Sequence, residues 1–371
     1  MRVFVILIIV LIWIFSLVNE SGFGLSFHTG EKMNWLIFIW FLYLFLVKKR
    51  TFIPTMNKVS LIGFILFFIF VPFCVSTEWD GATYLVSFLT IFCFSNINIS
   101  TKELSFSALS SSFSRTFAKL ATVTPSERLI SFTPDVILPR IDNAIAMLTL
   151  FSFIYFSIFF NSSRKKWIRF LCWMMTFIYS VQIAETDSRG GMLFMLIAII
   201  MMFCRDITRK IILSFKTRAL IIYFPLIMAI IVVWIASQSW FEELDNWSLL
   251  NYEKPIFNGR DKLWKATFDD IMNYPFGRGE FVINYHNSVV ACIGVFGVIG
   301  CFLWCNFFKR QLTVMSKYLG DYVVYACMCA FILIYLQQSV ELGFISPMPN
   351  MLPYMILGLG LGKVRWYERK Q

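Results

Sequence analysis

Residues 286–310 read HNSVVACIGVFGVIGCFLWCNFFKR, and this stretch decides the class of fold. Its central run, 288–308, carries no charged side chain. At about 1.5 Å per residue it is long enough to cross the roughly 30 Å of a bilayer's hydrocarbon core. His286-Asn287 precede the run and Lys309-Arg310 follow it. A basic pair after an apolar run is typical of the cytoplasmic end of a membrane-spanning helix.

The same pattern recurs along the whole chain of 371 residues. Hydrophobic residues make up 58% of it and charged residues 15%, whereas soluble domains are closer to about 45–50% apolar and 25% charged. The mean hydropathy is +0.70, and the apolar residues come as long runs separated by short charged segments. We therefore predict an all-α polytopic integral membrane protein.

The positions of the basic residues and of the nine cysteines argue against a nucleic-acid-binding protein and against a disulfide-rich protein, although the net charge is +11. The basic residues sit in short segments beside apolar runs, which sets membrane orientation and indicates no nucleic-acid partner. All nine cysteines lie in or beside apolar runs, and no CxxC motif occurs. A disulfide framework is therefore not expected.

The charge pattern predicts about twelve transmembrane helices with both termini cytoplasmic. The alternation of basic and acidic segments requires one more crossing than the eleven obvious apolar runs provide. Its best candidate is 104–120, although an amphipathic surface helix is the alternative there. The segment 237–287 is net acidic and is predicted as the main outward loop of one transmembrane domain, 1–371. The eleven apolar runs are 3–18, 34–47, 59–75, 82–94, 143–161, 167–184, 191–204, 219–236, 288–308, 322–336 and 349–362.

Arg189 lies at the outward start of a predicted helix. Ser188 can cap that helix, whose first amides carry positive partial charge. An arginine in this position suits an anion such as a diphosphate. The alternative is an arginine that pairs with Asp187 or Glu185, or that reaches a lipid phosphate.

A second arginine, Arg260, begins a short amphipathic helix predicted to continue through 265–273. This helix is expected to lie in the membrane interface and to be anchored there by Trp264. The segment Pro275-Phe276-Gly277-Arg278-Gly279 then predicts turns.

His286 is predicted at the outer membrane surface, directly before the run 288–308. A neutral imidazole there can take a proton from an attacking hydroxyl group, or donate a hydrogen bond to a phosphate oxygen. The alternative is a structural histidine that helps to position Asn287.

These segments, in this order, resemble the O-antigen ligase and polymerase superfamily of membrane proteins. The resemblance rests on Asp187-Ser188-Arg189-Gly190-Gly191, Gly259-Arg260 with Trp264, Pro275–Gly279, His286-Asn287, and the series Gly294, Gly297, Gly300. It implies about a dozen helices around an outward cavity, and transfer of lipid-linked glycans without a metal or another cofactor.

The resemblance also implies residue roles. Arg189 and Arg260 would hold an undecaprenyl diphosphate leaving group, and His286 would serve the acceptor hydroxyl; these three are the predicted catalytic residues. The matches at two positions, Arg140 and Glu341, are loose. The predicted substrate-binding set is Arg278, Asn287, Arg140, Asp187, Ser188, Trp264 and Glu341.

The expected function is polymerisation of undecaprenyl-diphosphate-linked repeat units into O-antigen, or a similar surface polysaccharide, at the outer face of a bacterial inner membrane. Transfer would be inverting, since no residue is placed as a covalent nucleophile. Membrane lipid and a chain-length regulator protein are further candidate partners. An O-antigen ligase that acts on lipid A–core is the alternative, although the 237–287 loop is shorter than in many ligases. A flippase or secondary transporter is disfavoured, because the charges cluster on the outer side and no repeat is evident.

Overall fold

The computed structural model describes residues 29–49, 58–75, 80–104, 161, 165–184, 189–252, 255–279, 285–340, 344–345 and 351–371. Within these ranges the chain is helical and contains no strand, which confirms the all-α prediction. The labels below number the described helices and not the predicted spans. The helices are α1 Thr29–Leu42 (continued by a π-helix, Tyr43–Val47), α2 Lys58–Val75, α3 Asp80–Ser95, α4 Lys166–Ala184, α5 Arg189–Phe203, α6 Arg205–Leu213, α7 Phe215–Ala236, α8 Ser239–Tyr252, α9 Arg260–Asp269, α10 Ser288–Ser316, α11 Tyr322–Gln337 and α12 Met351–Glu368.

Two of the described helices, α7 and α10, are each long and apolar enough to cross a membrane. The α5–α6 pair passes the same test only as a unit, and it is bent by 103° at the break between the two helices. The predicted spans 3–18, 104–120 and 143–161 lie almost wholly outside the described residues. The number of twelve spans and the outward loop 237–287 therefore stay predictions.

The core of the bundle is formed by α10, α11 and α12. Helix α11 is buried on nearly every side, as expected for a helix that is apolar all round. Helix α12 packs against both α11 and α3. Its small residues Gly358 and Gly362 allow the α3 backbone and the turn after it to approach, since a Cβ atom on Gly362 would lie 2.1 Å from the Ile97 carbonyl oxygen.

The outer helices expose large apolar side chains. On α4 these include Trp167, Phe170 and Phe177, and on α7 they include Leu220 and Trp234. An apolar surface of this kind is unfavourable in water but matches lipid tails. The exposed aromatic and aliphatic side chains therefore agree with a membrane protein, as the sequence predicts.

Two basic segments, 205–218 and 309–321, lie together in the fold. Arg205, at the start of α6, donates from Nη2 to the carbonyl oxygen of Gly320 (2.9 Å) in the turn between α10 and α11. Its guanidinium also lies 4.2 Å from the ring centroid of Tyr322. The basic segments 205–218 and 309–321 therefore meet at one end of the bundle, and the start of α10 lies at the other.

Candidate active site

Helix α10 is broken nine residues after its start (297 − 288), at Gly297. The φ of 71° and ψ of −177° at this residue are accessible almost only to glycine. A break of this kind takes carbonyl groups of the preceding turn away from their helical donors. Unpaired carbonyl groups are costly inside an apolar bundle, so another segment must supply donors.

The turn Pro275–Gly279 supplies these donors. The backbone N–H of Arg278 donates to the carbonyl oxygen of Gly294 (2.8 Å), and the N–H of Gly279 donates to that of Val295 (3.0 Å). The loop before α10 therefore inserts into the break in α10 and completes its hydrogen bonding.

The turn and the break pack backbone against backbone. A Cβ atom on Gly277 would lie 2.3 Å from the carbonyl oxygen of Val295, and one on Gly297 would lie 2.1 Å from that of Pro275. Both glycines also have a positive φ. The two motifs, which stand apart in the sequence, are thus one interlocked unit, and only the fold reveals this.

Asn287 fixes the start of α10. Its Oδ1 accepts hydrogen bonds from the N–H groups of Val289 (2.9 Å) and Val290 (3.1 Å). Its Nδ2 donates to the carbonyl oxygens of Pro225 (2.9 Å), in the middle of α7, and Ser339 (3.1 Å), after α11. The side chain is 0% exposed, and its two donor and two acceptor positions are all used. This geometry makes Asn287 a residue that positions the start of α10, and a direct contact between Asn287 and substrate stays a prediction.

His286 precedes this cap with a φ of 47°, in the left-handed region. Residues other than glycine adopt that region rarely, although histidine and asparagine tolerate it better than most. The residue as a whole is half-buried. Because Asn287 is held by α7 and by the turn after α11, the backbone of His286 is fixed in position as well.

Helix α9 is attached to the same place. It begins at Arg260, which follows Gly259 with a φ of 77°. One turn later, Trp264 donates from Nε1 to the carbonyl oxygen of Tyr285 (2.6 Å), the residue directly before His286. Side chains four residues apart share one face of a helix. The half-buried side chain of Arg260 therefore belongs to the face of α9 that meets Tyr285.

The membrane anchoring predicted for Trp264 is wrong, whereas its predicted contact with substrate stays a prediction. Its side chain is only 2% exposed and packs in the protein core, so it does not anchor α9 in lipid. The α9 helix runs from Arg260 to Asp269 and is continued by a 3-10 turn, Asp270–Met272, so it ends close to the predicted end at 273. The prediction that Arg260 begins the helix is confirmed.

The start of α5 reaches the same end of the bundle. Arg189 is its first residue, as the sequence predicts for an arginine at a helix start. A Cβ atom on Gly190 would lie 3.3 Å from Cγ2 of Val340. Val340 follows Ser339, whose carbonyl oxygen accepts from Asn287. The starts of α5 and α10 are therefore joined through the end of α11.

A cavity of about 220 Å³ opens between α9 and the interlocked turn. Arg278 lines it, with its Nη2 2.5 Å from Oδ2 of Asp270 and its guanidinium 4.4 Å from the ring centroid of Tyr274. The hydrogen bond to Asp270 raises the pKa of Arg278. Because this arginine is already paired with a carboxylate, the cavity is close to neutral and suits a polar, uncharged ligand. Its full lining is Ala266, Thr267, Asp270, Ile271, Tyr274, Arg278, Tyr285, Ile293 and Gly294.

The remaining predicted residues fall beyond what the structure describes. Arg140, Asp187, Ser188 and Glu341 lie outside the described ranges, and of Arg189 only the backbone is described. In the described part of the chain, no group of three histidine, cysteine, aspartate or glutamate side chains is placed to hold a metal ion.

Residues 174–305 match the family model described as O-antigen ligase. The matched region starts in α4 and ends in α10, so it contains all three helix starts, the interlocked turn and Gly297. This match confirms the resemblance to the O-antigen polymerase and ligase superfamily. Comparisons with curated proteins and with solved structures gave no match.

Proposed function

We propose that this protein is a glycosyltransferase that polymerises undecaprenyl-diphosphate-linked repeat units at the outer face of the bacterial inner membrane. One observation carries the proposal. The starts of α5, α9 and α10, which bear Arg189, Arg260 and His286, are joined through Asn287, Trp264 and the end of α11. The family match over residues 174–305 supports a glycosyltransferase of the ligase and polymerase type.

Helix starts favour a diphosphate at this position. The first turn of each helix presents N–H groups without helical partners and a positive partial charge. Arg189 and Arg260 each stand at such a start, and an arginine adds charge-assisted hydrogen bonds to phosphate oxygens. In the proposed reaction these groups stabilise the negative charge that develops on the departing diphosphate.

His286 would act on the acceptor. Its imidazole takes the proton of a sugar hydroxyl while the hydroxyl oxygen forms a bond to the anomeric carbon of the donor. The bond between that carbon and the diphosphate oxygen breaks, and undecaprenyl diphosphate leaves with the electron pair. One direct displacement inverts the anomeric configuration and requires no metal.

The cavity beside α9 would hold the acceptor sugar ring. The Arg278–Asp270 pair offers both donors and acceptors to hydroxyl groups, and Tyr274 and Tyr285 add aromatic surface. Tyr285, which lines the cavity, directly precedes His286, so the proposed acceptor position and the proposed base are on neighbouring residues.

The alternative function is that of an O-antigen ligase, which the description of the matched family model favours. A ligase would use the same three residues and would transfer the finished glycan onto lipid A–core. The two functions differ in the acceptor and therefore in the product that accumulates when the protein is lost.

The experiment is a lipopolysaccharide gel of a deletion strain complemented with wild type, Arg189→Ala, Arg260→Ala or His286→Ala. Core with a single repeat unit in the deletion strain is expected for a polymerase. Bare core in the deletion strain, with long chains on the undecaprenyl carrier, would identify the protein as a ligase. Loss of one oxyanion-stabilising donor lowers such rates by about 10²–10³-fold, and loss of a general base lowers them by about 10²–10⁴-fold. The ladder should therefore vanish in all three variants.

Lys262→Ala is the matched control, because Lys262 is exposed on the same helix as Arg260. Its ladder should be normal, and immunoblots should show equal amounts of every variant in the membrane. A full ladder in the Arg189, Arg260 and His286 variants would refute the site.

A further inference from the structure

A second site lies at the opposite end of α10 from His286. It is an open groove of about 610 Å³ between the start of α7 and the second half of α10. Lys309, on its wall, comes 12 residues after the break at Gly297 (309 − 297), which is about 18 Å along the second half of α10, and the groove shares no lining residue with the cavity beside α9. The groove is therefore separate from the proposed active site, and its volume is within the usual range for ligand sites.

One stripe of α10 forms most of the groove. Phe302, Asn306, Lys309 and Thr313 recur at three- or four-residue spacing and so share one helix face. The stripe is apolar toward the middle of α10 and basic toward its end. The other lining residues are Phe215, Leu303, Arg310 and Val314.

The basic end of the groove has no acidic partner among the residues that the structure describes. Within the described ranges no acidic residue lines the groove, and neither Lys309 nor Arg310 makes a salt bridge. The Lys309 ammonium lies 5.7 Å from the ring centroid of Phe215 and 6.0 Å from that of Tyr223. The groove thus carries two positive charges, one of them beside aromatic rings, with no carboxylate among its described lining residues, and this arrangement attracts an anion.

The apolar end continues toward the middle of the bundle. Phe302 is 59% exposed, and Val298 and Ile299, one turn earlier on the same face, are also exposed. A free anion would contact only Lys309 and Arg310 and would leave these exposed apolar side chains uncovered. A ligand with a negatively charged head and a hydrocarbon chain covers both parts.

We propose that this groove binds an anionic phospholipid, with its phosphate between Lys309 and Arg310 and an acyl chain along Phe302 and Leu303. The binding is independent of glycosyl transfer and would stand if the proposed function failed. A bound lipid would join α7 to α10, the two helices that also meet at Asn287.

The test uses the full-length protein in an uncharged detergent, with bound lipids counted by native mass spectrometry. Phosphatidylglycerol is titrated against phosphatidylcholine with the same acyl chains, and inorganic phosphate is added as a competitor. Each basic residue near a membrane surface contributes about fivefold in affinity for anionic lipid. The double variant Lys309→Gln/Arg310→Gln should therefore bind phosphatidylglycerol about twenty-fold more weakly.

The control is Lys317→Gln/Arg369→Gln, which removes the same charge from two exposed positions outside the groove. It should bind phosphatidylglycerol like wild type, and Phe302→Ala should bind it more weakly. Equal binding of the two lipids by wild type would overturn the proposal without any variant. Displacement of the lipid by millimolar phosphate, or an equal loss in the control, would also overturn it.

Discussion

Replacing Gly297 with alanine tests whether the Pro275–Gly279 turn and the broken helix form one unit. The new Cβ atom would lie 2.1 Å from the Pro275 carbonyl oxygen, at a backbone conformation that alanine cannot easily adopt. The turn must therefore withdraw, and its two hydrogen bonds to Gly294 and Val295 are lost with it.

The magnitude follows from these two effects. Backbone of this kind is unfavourable for a non-glycine residue by about 1–3 kcal/mol. Each lost hydrogen bond adds about 0.5–1.5 kcal/mol. The free energy of unfolding of Gly297→Ala should therefore fall by about 2–6 kcal/mol, as measured by denaturant titration of the purified protein in mixed micelles.

Alanine substitutions at two other glycines distinguish the effect of backbone strain from the effect of steric overlap. Gly259 has a φ of 77°, but no atom lies within 4 Å of the position that a Cβ atom would take there, so Gly259→Ala should lower the free energy of unfolding by only about 1–2 kcal/mol. Gly63, in α2, has open space around it and no positive φ, so Gly63→Ala should change the free energy of unfolding by less than about 1 kcal/mol. If Gly297→Ala is no more destabilising than Gly259→Ala, the interlock of turn and helix is refuted.

Asn287→Ala should lower the free energy of unfolding by about 2–4 kcal/mol, because a helix cap is lost and two buried carbonyl oxygens lose their donor. Asn287→Ser keeps a neutral capping oxygen and loses the amide donors, so a smaller decrease in the same denaturant titration is expected; equal decreases would contradict this account. Asp270→Asn and Arg278→Ala should each raise the KM for an acceptor oligosaccharide about ten- to hundred-fold, with a smaller effect on kcat, in an assay with a polyprenyl-diphosphate-linked donor. Asp269→Asn is the control outside the cavity. An unchanged KM in both cavity variants would show that the acceptor does not bind in this cavity.

Helix positions can be predicted well from hydropathy, and contacts between helices cannot. The predicted runs 219–236 and 322–336 agree closely with α7 and α11, and both arginines expected at helix starts, Arg189 and Arg260, are there. Runs of apolar residues and capping residues are local signals, so the sequence carries them directly. Helices α6 and α8 are not predicted, because α6 lies between the predicted apolar runs 191–204 and 219–236 and α8 lies within the predicted outward loop 237–287.

The error at Trp264 has a physical cause. A lipid tail is about as apolar as a leucine side chain, so an apolar helix face can meet either lipid or protein at similar hydropathy. A tertiary hydrogen bond from the indole to the Tyr285 carbonyl decides between the two, and no sequence window contains it. The role of Asn287 escapes prediction for the same reason, since its two acceptors lie on α7 and after α11.

The break in α10 connects the stability of the fold to the position of the candidate site. Irregular backbone at membrane depth persists only where other protein groups satisfy it. Here the donors come from Arg278 and Gly279, and the insertion that pairs these amides also carries the Arg278 side chain to Asp270. The same hydrogen bonds therefore stabilise the broken helix and build one wall of the cavity beside Tyr285. A substitution that frees the turn should thus lower stability and acceptor binding together, whereas a change confined to the Arg278 side chain should affect binding far more than stability.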